Sequence, residues 1–271
     1  MTVTTSVTGL KRWALILALW FILQVSPLRA QYSPPLTVTG TGVDFEFRAS
    51  GVLISTGSFQ DSSLLTSDQG AGTRFLWWPG QAAFRAGSVG GTQWDSSNIG
   101  MYSAACGYNT IAFGYASTAF GTWTTASGDY STASGSYTQA TKAGSTAFGI
   151  GAAALGFTSV AFGYYTTASA YDSSAFGCLT TASGYYSTAF GRCTTASAEN
   201  SFVVGAYNVG GAGPTVSGTD PVFEIGNGYY NSATSTAVPS DALVVYRNGS
   251  ATFQGPVTVA PGGDIPMFSG Y

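Results

Sequence analysis

Ser173-Ser-Ala-Phe-Gly177-Cys-Leu-Thr180-Thr-Ala-Ser-Gly184-Tyr-Tyr-Ser187-Thr-Ala-Phe-Gly191 contains the rule that decides the fold. Glycine returns every seventh residue. Alanine stands two places before it, and serine or threonine three places after it. Followed outward, the glycine position holds Gly107, Gly114, Gly121, Gly128, Gly135, Gly149, Gly156, Gly163, Gly177, Gly184, Gly191 and Gly205. Lys142, Ala170 and Ala198 fill the remaining units. The alanine position is kept from Ala105 to Ala196 and changes only at Val203, while Ala152 and Asn208 are the sole exceptions to the hydroxyl position. No insertion breaks the phase, and internal repeats of this kind fix the architecture before any other signal is weighed.

A period of seven first suggests a coiled coil. The residues refuse it. A glycine in every unit costs a helix about 1 kcal/mol each time, the other positions are rich in strand and turn formers, and charged flanking positions are missing. Strands have their own difficulty, because side chains alternate with period two and an odd repeat flips its apolar set. A turn in each unit resets the phase, and glycine suits such a turn. Two units then close one coil of fourteen residues. The residue before the glycine position alternates accordingly: Phe162, Ser169, Phe176, Ser183, Phe190, Ser197. The expected fold class is all-β, a parallel β-roll or solenoid of fourteen-residue coils with β-rich caps at both ends. Coils about 4.8 Å apart place each Phe over the next, and seven of them span roughly 34 Å.

Such a coil is thin. Two short strands and two turns enclose little more than alanine methyls, too little apolar surface to offset the chain entropy of ordering them. The phenylalanine ladder and the low charge, 8% of residues against roughly 25% in typical domains, point to a side-by-side homo-oligomer. A wider monomeric solenoid with its own core is the competing architecture.

The units Ser117 to Gly121, Ser145 to Gly149 and Ser187 to Gly191 (Ser-Thr-Ala-Phe-Gly), with Thr124 to Gly128 and Thr180 to Gly184 (Thr-Thr-Ala-Ser-Gly), resemble the head repeats of YadA-like trimeric autotransporter adhesins. The resemblance covers about residues 99–209. It implies a left-handed parallel β-roll, a homotrimer whose three chains share one head, and binding to extracellular matrix, host or other surface ligands from the bacterial outer membrane. It implies no enzyme activity.

The N-terminus reads as a secretory signal. Lys11 and Arg12 precede an apolar run from Trp13 to Leu23, and Ser26, Pro27 and Ala30 supply the break and the small residue before a cleavage point. The run is too short to span a bilayer, which needs about 20 residues, and the mature chain has no transmembrane segment. A buried N-terminal helix is the plainer alternative. Cleavage after Ala30 leaves six basic residues against twelve acidic ones. That balance, with no basic cluster, excludes nucleic acid as a partner. The chain is expected to be exported, secreted or held at the cell surface. Cys106, Cys178 and Cys193 make an odd count without a disulfide framework, although Cys178 and Cys193 have the spacing to pair.

The flanks lack the repeat. Residues 36–41, 43–49 and 52–56 alternate like strands. Trp77, Trp78, Pro79 and Phe84 suggest an aromatic knot over the first coil, or else a ligand patch. After a Gly-Pro linker at 210–218, residues 222–225, 242–247, 251–254 and 256–259 read as strands, with Asn248-Gly249 as a hairpin signal. Asn248-Gly-Ser250 also fits a glycosylation sequon. The expected organisation is a signal peptide at 1–30, an N-terminal β-rich cap at 31–98, repeats at 99–209, and a hairpin and trimerisation module at 210–271.

Chemistry is sparse. The chain has no histidine, which excludes a Ser-His-Asp triad, a Cys-His dyad and His-ligated metal. No cofactor or metal is expected. Gly149-Ile-Gly151 imitates a dinucleotide fingerprint but falls in phase with the repeat. Asp44 and Glu46 share one face of a strand pattern, as solvated surface charges commonly do. Function therefore rests on binding, and the residues singled out are Tyr164, Tyr165, Tyr171, Tyr185 and Tyr186, because tyrosine gives rigid amphipathic contact area at low entropic cost. An ice-binding solenoid is the alternative, in which Thr124-Thr125, Thr166-Thr167, Thr180-Thr181 and Thr194-Thr195 form exposed hydroxyl ladders. A carbohydrate-active β-helix enzyme is a third reading, and it needs a cluster of charged residues that the repeat lacks.

Overall fold

The computed structural model describes residues 70–210 and 216–255, together with the backbone of the strands Leu36–Gly40, Val43–Phe47 and Leu53–Gly57. Those three pair antiparallel in chain order. The signal segment at 1–30, most of the Gly-Pro linker and the expected strand at 256–259 lie outside the described residues.

The repeat winds as a parallel β-solenoid with fourteen residues per coil. One coil contributes a five-residue strand, Thr118–Thr122, and a two-residue strand, Thr125–Ala126. The next contributes Thr132–Ser136 and Gln139–Ala140. Long strands stack into a sheet of thirteen that also takes in both flanks, and short strands stack into a sheet of seven. Register is strict: Ala119 faces Ala133, Phe120 faces Ser134, and Gly121 faces Gly135. The core is correspondingly slim. The alanines from Ala105 to Ala196, joined by Ala152 and Val203, form one cluster with no solvent exposure.

The seven-residue halves are not equivalent, and the exceptions in the sequence show why. Gly107, Gly121, Gly135, Gly149, Gly163, Gly177, Gly191 and Gly205 lie within long strands at φ between +112° and +133°. At Gly121 an added Cβ would sit 2.0 Å from the Gly135 carbonyl oxygen. Only glycine satisfies both conditions. The alternate column, Gly114, Gly128, Gly156 and Gly184, has no such φ, and it is here that Lys142, Ala170 and Ala198 are admitted. The expectation that glycine makes the turn is corrected. The left-handed corner falls two residues later, at every seventh position from Tyr102 to Tyr207, with φ between +46° and +69°. Glycine fills it only at Gly144 and Gly151. The corner N–H is bonded one coil back, as Tyr130 N–H donates to Tyr115 O at 2.7 Å, and that bond holds non-glycine residues in a conformation costing roughly 1–2 kcal/mol.

The hydroxyl position also divides in two. Serine occupies one inward corner, where in Ser159 and Ser173 the Oγ donates to the carbonyl three residues back, of Gly156 and Ala170, at 2.7 Å, while Ser117 and Ser131 Oγ meet no partner. Threonine occupies the other. Thr110, Thr124, Thr138, Thr166, Thr180 and Thr194 are wholly buried, and their Oγ1 atoms meet no hydrogen-bonding group of the protein.

Bonds between short strands tie each coil to the next, as in Thr125 N–H to Thr138 O and Thr167 N–H to Thr180 O. The first and last coils of the short-strand sheet lack a further coil on one side, and side chains meet their backbone groups there. At the first, Trp94 Nε1 donates to Thr110 O at 2.9 Å, and the buried Arg85 guanidinium donates to Ser103 O, Ser103 Oγ and Ala112 O. Burial lowers the Arg85 pKa to about 10. At the last, Asn208 Oδ1 accepts from Thr195 N–H at 2.7 Å, Asn208 Nδ2 donates to Glu224, and the Asp241 carboxylate accepts from Val209 N–H. Burial pushes the Glu224 and Asp241 carboxyls above their ordinary range.

The aromatic knot is only partly as expected. Trp78 is buried against Ala83 and Ile99. Trp77, in contrast, pairs with Phe84 across the antiparallel strands Gly72–Trp78 and Ala83–Val89 and is 40% exposed, because alternate residues of a strand face opposite sides. On the other flank, Pro221–Asn227 joins the long sheet in parallel, and Asp241–Tyr246 pairs with Ala251–Phe253 around the Asn248-Gly249 turn.

Candidate interaction surfaces

The outer face of the long sheet carries one register column from edge to edge. It reads Phe75, Ala86, Cys106, Phe120, Ser134, Phe148, Phe162, Phe176, Phe190, Val204, Ile225, Leu243 and Phe253, one residue from each of the thirteen strands. Ser134 is the single polar member. The rings stack along the axis, Phe148 on Phe162 at 5.1 Å and 6° between planes, with Phe176 to Phe190 at 6.1 Å. Phe120, Phe148, Phe162 and Phe190 keep 41–54% of their surface open. A stripe of this length on a face where Arg192 is the one charge among the repeat's long strands marks an interaction site.

The five tyrosines chosen from the sequence do not form one patch. Tyr164 and Tyr165 meet edge to face at 4.7 Å on the corner that follows a long strand. Tyr171 and Tyr186, 5.8 Å apart, lie on the corner that follows a short strand, where Tyr185 also belongs. Each corner carries further rings that sequence reasoning passed over. Tyr108, Trp123 and Tyr137 run in line at 5.9 and 6.2 Å, and Tyr102, Tyr115 and Tyr130 at 5.3 and 5.4 Å. Their signal was a spacing of thirteen to fifteen residues, one coil give or take a place, which a search for adjacent tyrosine pairs misses.

The threonine pairs expected to form exposed ladders are divided by the wall of the roll. Thr124, Thr166, Thr180 and Thr194 point inward and are fully buried. Only Thr125, Thr167, Thr181 and Thr195 face out, in a column interrupted by Gln139 and Ala153.

Charged groups sit apart from one another. Arg85, Glu224 and Asp241 serve the coil ends. Asp129 accepts from Tyr115 N–H at 2.9 Å, and Asp172 from the Thr158 hydroxyl. Among the described residues no three His, Cys, Asp or Glu side chains gather in a way that could hold a metal, and no helix is long and apolar enough to cross a membrane.

Comparison with known families agrees with this geometry. The model of the YadA head domain repeat matches at residues 105–138, 126–152, 140–166, 154–177 and 182–208. No curated protein matches the chain. The matches fall on the coils that build the roll, which are similar to YadA head domain repeats from 105 to 177 and from 182 to 208.

Proposed function

We propose that the chain is an exported, adhesin-like surface protein or fibre head that acts by binding through a trimeric β-roll and performs no catalysis. The observation that carries this reading is the column across the thirteen-stranded sheet, apolar at every strand but that of Ser134. A core of alanine methyls is too slim to stabilise the roll alone, and a second and third copy packed on the column bury the rings that one chain leaves open. The two tyrosine corners then face away from the shared axis and supply the contact surface for a matrix, host or other surface ligand, with Tyr164 and Tyr165 on one edge and Tyr171, Tyr185 and Tyr186 on the other. The signal at 1–30 delivers the chain to the cell surface, and the flanks at 31–98 and 210–271 act as cap and trimerisation module.

Sizing with light scattering tests the assembly. The mature chain is expected to run as a trimer. The double variant Phe148→Ser/Phe162→Ser should weaken the trimer and lose its β-sheet spectrum as it dissociates, since one chain alone buries too little apolar surface. A wild-type chain that stays a folded monomer at micromolar concentration sinks the proposal.

A further inference from the structure

Two of the three cysteines fall on one structural pair. Cys178 is the last residue of the long strand Ser174–Cys178. Cys193 is the left-handed corner of the following coil, at φ +52°. The Cys193 N–H donates to the Cys178 carbonyl at 2.7 Å, so the two backbones are in direct contact across the coil boundary. The same relation recurs along the roll, and elsewhere it is filled by other side chains. Trp123 N–H donates to Tyr108 O, and there the two side chains meet with ring centroids 5.9 Å apart. The pair of positions therefore places both side chains on one outer corner; the Cys193 side chain is hydrogen-bonded to Tyr207 of the following coil, a contact that a turn of the thiol toward Cys178 would exchange. Both cysteines are free thiols and partly exposed, within reach of an oxidant in solution. Cys106 is set apart in the phenylalanine column of the long face.

We propose that Cys178 and Cys193 are a modification site: under oxidising conditions they close a disulfide that staples two successive coils near the C-terminal end of the roll. The co-reactant is a small disulfide or an oxidised dithiol oxidoreductase. One cysteine thiolate attacks it to give a mixed disulfide and release one thiol. The second cysteine thiolate displaces the other. The cysteines lose two protons and two electrons, and the disulfide reagent leaves as two thiols. Closing the loop of chain between them restrains the unfolded state. Oxidising compartments favour such bonds; that part rests on the export proposed above, whereas the capacity to close does not.

The purified mature chain is incubated with oxidised glutathione and its thiols are counted. Wild type is expected to lose two of three. Proteolytic fragments should be joined Cys178 to Cys193 within one chain, and the thermal midpoint should rise by several degrees and fall back on reduction. Cys106→Ser should behave as wild type does, while Cys178→Ser should show neither the bond nor the rise. Three thiols persisting after complete exchange, or a bond that includes Cys106 or a second chain, overturns the proposal. Closure in the tube with reduced thiols in protein taken from cells would contradict export alone.

Discussion

Replacing the buried threonines by valine should make the roll more stable. Valine has nearly the same shape, so the change removes a hydroxyl and little else. Thr124 and Thr180 are fully buried, and their Oγ1 atoms meet no protein partner. An unsatisfied buried hydroxyl costs about 1–3 kcal/mol. Four coils separate the two sites, roughly 19 Å at the strand spacing, far enough for the effects to add. The double variant Thr124→Val/Thr180→Val is therefore expected to gain about 2–6 kcal/mol. With a urea slope of roughly 2–3 kcal/mol/M, the midpoint rises by about 1–3 M. The measurement compares urea unfolding of both proteins at one fixed concentration, because assembly makes apparent stability depend on it. Ala152 is a natural precedent for an apolar side chain in that column. A loss of 1 kcal/mol or more would refute the reasoning and mean that the hydroxyls are satisfied from inside the roll.

The two glycine columns should respond differently: a Cβ would meet a carbonyl oxygen of the next coil at 2.0 Å at Gly121 and 2.1 Å at Gly184, but only Gly121 adds a positive φ, so Gly121→Ala is expected to cost 3 kcal/mol or more and Gly184→Ala, in the column that already contains Ala170 and Ala198, less; thermal melts rank them. Leu179→Gly relieves a left-handed corner at φ +56° and should gain about 0.5–1 kcal/mol, read from the same melts. Glu224 and Asp241 have folded pKa values raised above 4.5 and 3.8. Their stabilising contribution is thus complete below those unfolded values and is lost as pH rises through the raised folded ones. The urea midpoint should fall over that window, and a midpoint that climbs instead contradicts the burial of these groups.

Much of the roll was legible because its constraints are local and repeated. Alanine at fixed spacing reports a space one methyl wide, and the Phe/Ser alternation reports the fourteen-residue coil. The meaning of the glycine was not legible. Lys142, Ala170 and Ala198 look like random lapses until the chain is wound, after which all three fall in the permissive column. The corners were hidden because tyrosine, tryptophan and leucine give no sign that their own backbone N–H, bonded to a carbonyl one coil back, holds them left-handed. The tyrosine surface was misread for a related reason: residues adjacent in sequence share a corner, but those seven apart lie on different edges. Arg85 and Trp94 escaped notice because a cap is defined by the unpaired carbonyls it meets, and those exist only once the first coil closes.

The inequality of the two heptads has a consequence for how such a rod changes length. Removing or duplicating seven residues would bring Lys142, Ala170 and Ala198 into long strands at a φ that only glycine adopts readily, and would move phenyl rings to the wrong wall. Removing or duplicating fourteen leaves every column in place, and the terminal plugs still meet the same chemistry. Growth by whole coils is the only step this design tolerates, so the reach of the head is quantised at about 4.8 Å per duplication.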